Sequence, residues 1–177
     1  MFYVTGFCLT LFHDQRFVVN KVDFFGRDSA GNEVQLGTIR LHGDGELQEG
    51  QIWEAAMFAG AKGVDNLIST IDFNNQQIDG TTTQVMDLGD LKAKFESFMW
   101  KVVVIENGND MQQVIDGMAS AKNLAGKGSP VVVILKTEMG YGVDFMQGTN
   151  KFHGAVVSAD DLPKALAQLP ETELGDF

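Results

Sequence analysis

The sequence predicts an α/β fold, in which helices cover both faces of a parallel sheet. Short apolar segments alternate with amphipathic segments of helical spacing, the order typical of strand–helix–strand units. The segment 130–136 (PVVVILK) is almost continuously apolar, as a strand buried on both faces should be. A chain of 177 residues is long enough to bury a single core.

The elements of this sheet are predicted to follow residue 37. Strands are predicted at 38–42 (TIRLH), 66–72, 101–105 and 130–136. Helices are predicted at 48–62, 90–98, 110–124 and 162–169, with Asp110 and Ser158 as N-terminal signals of the last two. Because right-handed crossovers bring the carboxyl ends of parallel strands to one edge, we expect a ligand there.

Residues 1–36 show a different pattern and are predicted to form a separate N-terminal segment. Two apolar-rich stretches, 16–25 and 33–41, flank the turn-rich stretch 26–32 (GRDSAGN), which predicts a hairpin. The apolar start, 1–12, has neither a basic beginning nor a small-residue cleavage pattern, and it is too short to span a bilayer. We therefore expect no signal peptide and no membrane contact.

Charge and cysteine content exclude some classes of protein. The formal net charge is −11, which argues against a nucleic-acid binder. A chain this acidic would also need a cation at any site that binds an anionic ligand. The single cysteine, Cys8, allows no internal disulfide and no cysteine-based metal cluster, and this fits a cytoplasmic protein.

Polar residues follow the first two predicted strands of the sheet. Asp44 lies between Gly43 and Gly45, where glycine allows a sharp turn and a close approach to a ligand, and Asn74 follows the next strand. If these strands are neighbours, the Asp44 carboxylate and the Asn74 amide meet at one edge. With a loop carbonyl they would form an oxygen site suited to Mg²⁺. Either motif alone is more typical of a turn; the combination at this spacing indicates a site.

Three stretches give the chain a specific resemblance. They are 43–50 (GDGELQEG) with the helix after it, 71–80 (IDFNNQQIDG) and 136–154 (KTEMGYGVDFMQGTNKFHG). Together they resemble the thiamine-diphosphate signature of transketolase, most closely of transketolases divided into N- and C-terminal chains. The resemblance implies a thiamine-diphosphate-binding fold over 37–177, with a section missing upstream. Pyruvate-dehydrogenase-type enzymes lack the sequence IDG at 78–80, and deoxyxylulose-phosphate synthases lack LQEG after the GDG.

The resemblance implies a role for each matching residue. Asp44, the Asn74 side chain and the Gln76 main-chain carbonyl would bind Mg²⁺. The residues implied to bind thiamine diphosphate, directly or through the metal, are Gly43, Asp44, Gly45, Asn74, Gln76 and His153. His153 would also move protons at substrate oxygens, and Glu49 would couple two active sites across a subunit interface. From the residues alone, Glu49 is more simply explained as a first-turn acid favoured by the helix dipole, and His153 as a surface residue.

The implied activity is transfer of a two-carbon ketol unit between sugar phosphates, as in the pentose phosphate pathway. The glutamate that activates the aminopyrimidine ring lies in a separate pyrimidine-binding domain, so we expect the isolated chain to be inactive. The implied partners are a C-terminal transketolase chain and a second copy, in a homo- or hetero-oligomer. We expect an exposed apolar patch that includes Trp53 and Met57 of helix 48–62. Asn150 replaces a histidine often found in the family shortly before the one that matches His153.

Two alternatives remain from the sequence. The chain could be a non-catalytic fragment that keeps the fold, because the glycine-rich loop and sugar-binding histidines expected upstream of the GDG are not recognisable. It could also be another thiamine-diphosphate enzyme, similar to a deoxyxylulose-phosphate synthase. A nucleotide-binding domain is disfavoured, because no GxGxxG follows Leu41.

Overall fold

The computed structural model describes residues 3–11, 18–27 and 33–170. Their main feature is a six-stranded sheet with the strand order β1-β2-β3-β4-β8-β7. The strands of this sheet are β1 (Tyr3–Leu11), β2 (Val18–Arg27), β3 (Glu33–Gly43), β4 (Leu67–Phe73), β7 (Lys101–Ile105) and β8 (Val131–Lys136). Neighbours among β3, β4, β8 and β7 pair in parallel, which confirms the predicted parallel sheet.

Helices cover both faces of the parallel part of the sheet, as predicted. The helices are α1 (Gly50–Ala61), α2 (Thr82–Met86), α3 (Leu91–Ser97), α4 (Met111–Leu124) and α5 (Leu162–Leu166). On β8, Val132 and Ile134 pack in a core cluster with α1 and α3, whereas Val131 and Val133 pack in a second cluster with α4. This alternation follows from the two-residue period of a strand, and burial on both faces explains the continuous apolar run.

The N-terminal segment joins the same sheet through antiparallel pairing. β2 pairs with β3 as the predicted hairpin; most of the predicted turn, at residues 28–32, lies outside the described part of the chain. The edge strand β1, which pairs with β2, was not predicted. β3 runs through the predicted division at residue 37, since it pairs with β2 on one side and with β4 on the other.

Several element bounds differ from those predicted. The helix predicted at 48–62 begins at Gly50, after a 3₁₀ turn at Gly45–Gln48, and the one predicted at 162–169 ends at Leu166. A small hairpin, β5 (Gln76–Gln77) and β6 (Gly80–Thr81), was not predicted, nor was the short helix α2 that follows it. Among the described residues, no helix is both long and apolar enough to cross a membrane.

Candidate functional site

Asp44 lies where the carboxyl ends of two neighbouring strands meet. The register of β3 and β4 pairs Gly43 with Asp72, and the Asp44 N–H donates to the Asp72 carbonyl at 3.1 Å. The Gly43 N–H donates to the Glu46 carboxylate at 2.7 Å, which fixes the start of the turn after β3. The predicted adjacency of the two strand ends is therefore present.

The Asp44 side chain is buried, with 1% of the residue's surface exposed. Its Oδ2 accepts a hydrogen bond from the Asn75 N–H. The pKa of Asp44 is raised to about 6, chiefly by burial and to a smaller extent by the nearby Asp72 charge, while hydrogen bonds from the N–H groups of Asn75 and Gly45 oppose the rise. Among residues 39–170, no Lys or Arg forms an ion pair with this carboxylate, so no cationic side chain of that part of the chain compensates its negative charge.

The loop after β4 is held by its own hydrogen bonds. The Asn74 Oδ1 accepts from the Gln76 N–H at 2.8 Å, and its Nδ2 donates to Asp72 Oδ2 at 3.3 Å. Asn75 adopts a left-handed conformation, with φ of 58°, and its Oδ1 accepts from the hydroxyl of Thr82. The loop therefore presents a defined backbone to Asp44.

The structure brings Asp44 and Asn74 to the same edge, as predicted. The Asp44 carboxylate accepts a hydrogen bond from the main-chain N–H of Asn75, the residue that follows Asn74. Gln76, the next residue, begins β5. That Asp44, Asn74 and the Gln76 carbonyl coordinate one metal ion stays a prediction. Among the described residues, no group of three or more His, Cys, Asp or Glu side chains could hold a metal, so any ion here needs amide, carbonyl and ligand oxygens.

Two features of this edge fit a metal-bound anion. Burial of a carboxylate without a cation beside it costs free energy, and a bound Mg²⁺ would offset that cost. The Gln77 Nε2 is buried without a hydrogen-bond partner, and its side chain covers Gly45 so closely that a β-carbon there would lie 3.2 Å from Gln77 Oε1. An anionic ligand could accept a hydrogen bond from Gln77 Nε2 and approach the main chain closely at Gly45.

Glu49 lies at the start of α1 as its N-cap residue and is exposed. Its side chain makes no capping hydrogen bond to the helix. A carboxylate at this position is still favoured by the helix dipole, so the helix-stabilising role and the interface role both stay predictions.

His153 lies at the end of a 3₁₀ turn, Asn150–Phe152, and is exposed. Its N–H donates to the Asn150 carbonyl at 3.0 Å, and the Asn150 side chain donates to the Ile78 carbonyl, also at 3.0 Å. The segment that carries His153 therefore contacts the β5–β6 hairpin beside the site. Its proton-transfer role stays a prediction.

Sequence reasoning missed the residues that hold the site together. Asp72 accepts from the Thr137 hydroxyl and from Asn74, and Thr82 contacts Asn75. The pattern S/T-x-x-Q at 81–84 is a recognisable capping box and could have revealed α2. The contact between Thr137 and Asp72 joins residues far apart in sequence, and no local pattern predicts it.

A buried carboxylate and an amide-bearing loop at the carboxyl edge of a parallel sheet define an α/β domain built to bind a ligand at its strand ends. Residues 20–171 match the family described as the thiamine diphosphate binding domain of transketolase, and the chain belongs to this family. The resemblance predicted from the sequence is confirmed.

The relatives include separate subunits of divided transketolases. The chain is 39% identical over 127 residues to the 6-deoxy-6-sulfo-D-fructose transketolase subunit SqwG of Clostridium sp. (strain MSTE9), covering 72% of this chain and 45% of the relative. It is 37% identical over 140 residues to a subunit of the apulose-4-phosphate transketolase of Phocaeicola vulgatus, covering 79% and 49%. The chain thus spans about half the length of these two relatives.

Solved transketolases share the fold. The structure of transketolase from Leishmania mexicana superposes with a TM-score of 0.67 at 31% identity, covering 73% of this chain and 19% of that one. The transketolase from Campylobacter jejuni gives a TM-score of 0.65 at 31% identity, covering 73% and 20%.

Proposed function

We propose that this chain is the diphosphate-binding half of a transketolase that transfers a two-carbon ketol unit between sugar phosphates when joined to a pyrimidine-binding chain. The observation that carries the proposal is the buried Asp44, held against the loop of Asn74 at the sheet edge, within a domain of the transketolase family. Two relatives are named as transketolase subunits, which supports a partner chain.

Each residue of the site has a role that follows from its chemistry. Asp44, the Asn74 amide oxygen and the Gln76 carbonyl would hold Mg²⁺, and Gly45 with its neighbouring N–H groups would lie against the diphosphate. When bound, thiamine diphosphate supplies the carbon nucleophile, and the protein supplies anchoring and orientation. His153, exposed beside the site, would hold or release a proton at a substrate oxygen as a general acid or base.

Surface features support association with another chain. Met57 and Phe58 on α1 are 54% and 61% exposed. Trp53, expected in the same patch, lies instead against the core, where its ring packs on Phe95 and its Nε1 donates to the Leu47 carbonyl. The partner surface we propose therefore includes the Met57 and Phe58 side of α1 but not Trp53. The cytoplasmic location stays a prediction.

Binding of the cofactor should depend on the partner. We expect thiamine diphosphate with Mg²⁺ to bind weakly to the chain alone, because half of the ligand has no surface to bury against, and about 100-fold more tightly once the C-terminal chain of a divided transketolase is added. Calorimetric titration with and without that chain measures this, and ketol transfer should occur only in the mixture. A mixture that neither binds the cofactor nor transfers ketol units would favour the non-catalytic alternative.

Replacement of Glu49 by glutamine should weaken association with the partner without destabilising the fold. The side chain is exposed and caps no helix, so we expect the unfolding free energy to change by less than about 0.5 kcal/mol. If Glu49 lies at the subunit interface, the dissociation constant of the complex should rise about tenfold. Glu96→Gln, at an exposed position on α3 and away from the Met57 and Phe58 side of α1, is the matched control. Equal effects of the two substitutions on association would contradict the interface role.

A further inference from the structure

Asn150 contacts two parts of the site at once. Its side-chain Nδ2 donates to the Ile78 carbonyl at 3.0 Å, and its main-chain carbonyl accepts from the His153 N–H at 3.0 Å. We propose that Asn150 is a positioning residue, which fixes the place of His153 relative to the loop of the metal and diphosphate site. This inference rests on the proposed function.

The imidazole of His153 has no hydrogen-bond partner among residues 39–170, so its position depends on the main chain. That main chain forms a compact turn: the Thr149 hydroxyl accepts from the Lys151 N–H at 3.2 Å, and the Phe152 ring packs edge-on against Phe145 at 5.8 Å. The turn is therefore one compact unit, and the contact made by Asn150 joins it to the β5–β6 hairpin.

The acceptor of the Asn150 hydrogen bond lies close to a candidate metal ligand. Ile78 lies in the connection of the β5–β6 hairpin, in which Gln76 pairs with Thr81 and Gln77 with Gly80. Gln76, the residue whose carbonyl would bind the metal, is two positions from Ile78. Asn150 thus joins the segment of the candidate proton-transfer group to the hairpin that carries a candidate metal ligand.

The segment 137–153 is tied to the site near both of its ends. At its beginning, the Thr137 hydroxyl donates to Asp72, and the Thr137 N–H donates to the Phe73 carbonyl at 3.2 Å. Near its end, Asn150 provides the tie to Ile78. Loss of the second tie would leave the first in place, so the fold should survive while His153 gains freedom to move.

Loss of this tie should reduce turnover more than cofactor binding. Metal and diphosphate contacts do not involve Asn150, so we expect the affinity for Mg²⁺ and thiamine diphosphate to stay within about threefold. A displaced proton-transfer group lowers the rate steeply, and a shift of about 1 Å can cost about 100-fold. We therefore expect kcat to fall about 10-fold to 100-fold.

The test compares two substitutions of matched shape in the complex with the C-terminal transketolase chain. Asn150→Leu removes the donor with little change of size. Gln147→Met, the control, removes the hydrogen bond from Gln147 to Glu138 at 2.7 Å in the same segment. The imidazole signals of the histidines, assigned with His153→Gln, are followed by NMR as Mg²⁺ and thiamine diphosphate are added.

In the unsubstituted complex and in Gln147→Met, we expect the His153 signal to shift on cofactor binding. In Asn150→Leu we expect the cofactor to bind while that shift is lost and kcat falls. Asn150→His, which keeps a hydrogen-bond donor at this position, should recover the shift. A full shift and full kcat in Asn150→Leu would overturn the positioning role alone, whereas failure of the unsubstituted complex to bind the cofactor would overturn the proposed function as well.

Discussion

Replacing Asp44 by asparagine should abolish the binding of Mg²⁺ and thiamine diphosphate, yet leave the metal-free protein more stable at neutral pH. Asparagine keeps the shape of the side chain and an oxygen to accept from the Asn75 N–H, but it removes the charge that a metal ligand needs. It also removes a buried carboxylate that no cationic side chain of residues 39–170 neutralises. Loss of function and gain of stability should therefore come from the same substitution.

The gain in stability should depend on pH with a definite sign. Burial raises the pKa of Asp44 from 3.8 to about 6 in the folded chain, so the folded state holds this proton more tightly than the unfolded state. Stability from this group is fully present below about pH 3.8 and is lost as pH rises through about 6. Asp44→Asn should match the unsubstituted protein at pH 4 and exceed it at pH 7 by up to about 3 kcal/mol.

Denaturant unfolding of the metal-free proteins at pH 4 to 7, with calorimetric titration of the cofactor, measures both effects. Asp65→Asn is the control, because Asp65 also accepts a backbone hydrogen bond, from Gly128 at 2.9 Å, but lies before β4 at the opposite edge of the sheet. It should keep the cofactor response. Cofactor binding that survives Asp44→Asn in the complex would show that the metal site is misassigned.

The parallel sheet could be predicted because each of its strands has a local signature. Uninterrupted apolar runs such as 130–136 arise from burial on both faces, and they locate a strand without any tertiary information. β1 has no comparable signature: its apolar start was weighed only as a leader or a membrane span, and its pairing partner begins several residues later. The bounds of α1 were missed because the turn before it depends on contacts such as that of Trp53 with Leu47.

Some residues of the candidate site could likewise be predicted from local sequence, and others could not. Asp44 and Asn74 could be named because a short motif follows each of two neighbouring strands. Asp72, Thr82 and Thr137, which brace the loop between them, could not, because their hydrogen bonds join segments brought together only by folding. Local patterns therefore predicted the groups that would contact a ligand, whereas the groups that position them required the structure.

Substitution of Gly60 by alanine should lower stability strongly, because among the glycines from Gly43 to Gly154 an added β-carbon would overlap a neighbouring atom most severely at this residue. A β-carbon on Gly60 would lie 1.8 Å from the Phe98 carbonyl oxygen and 3.4 Å from the Trp100 ring. The carbonyl cannot retreat easily, since the Trp100 Nε1 holds this region to α1 by donating to the Ala56 carbonyl at 2.8 Å. We expect the unfolding free energy to fall by about 3 kcal/mol, as overpacking outweighs the better helix propensity of alanine.

The same helix provides a matched control in Gly50→Ala. A β-carbon at Gly50 would meet no atom within 4 Å, so this substitution should leave stability unchanged or raise it by up to about 1 kcal/mol. Urea unfolding of the two variants isolates the close contact from helix propensity. α1 follows directly after Asp44 and the turn that carries Glu49, so displacement of the helix by Gly60→Ala should also weaken cofactor binding by the complex. Equal unfolding free energies for Gly60→Ala and Gly50→Ala would contradict the close approach on which this expectation depends.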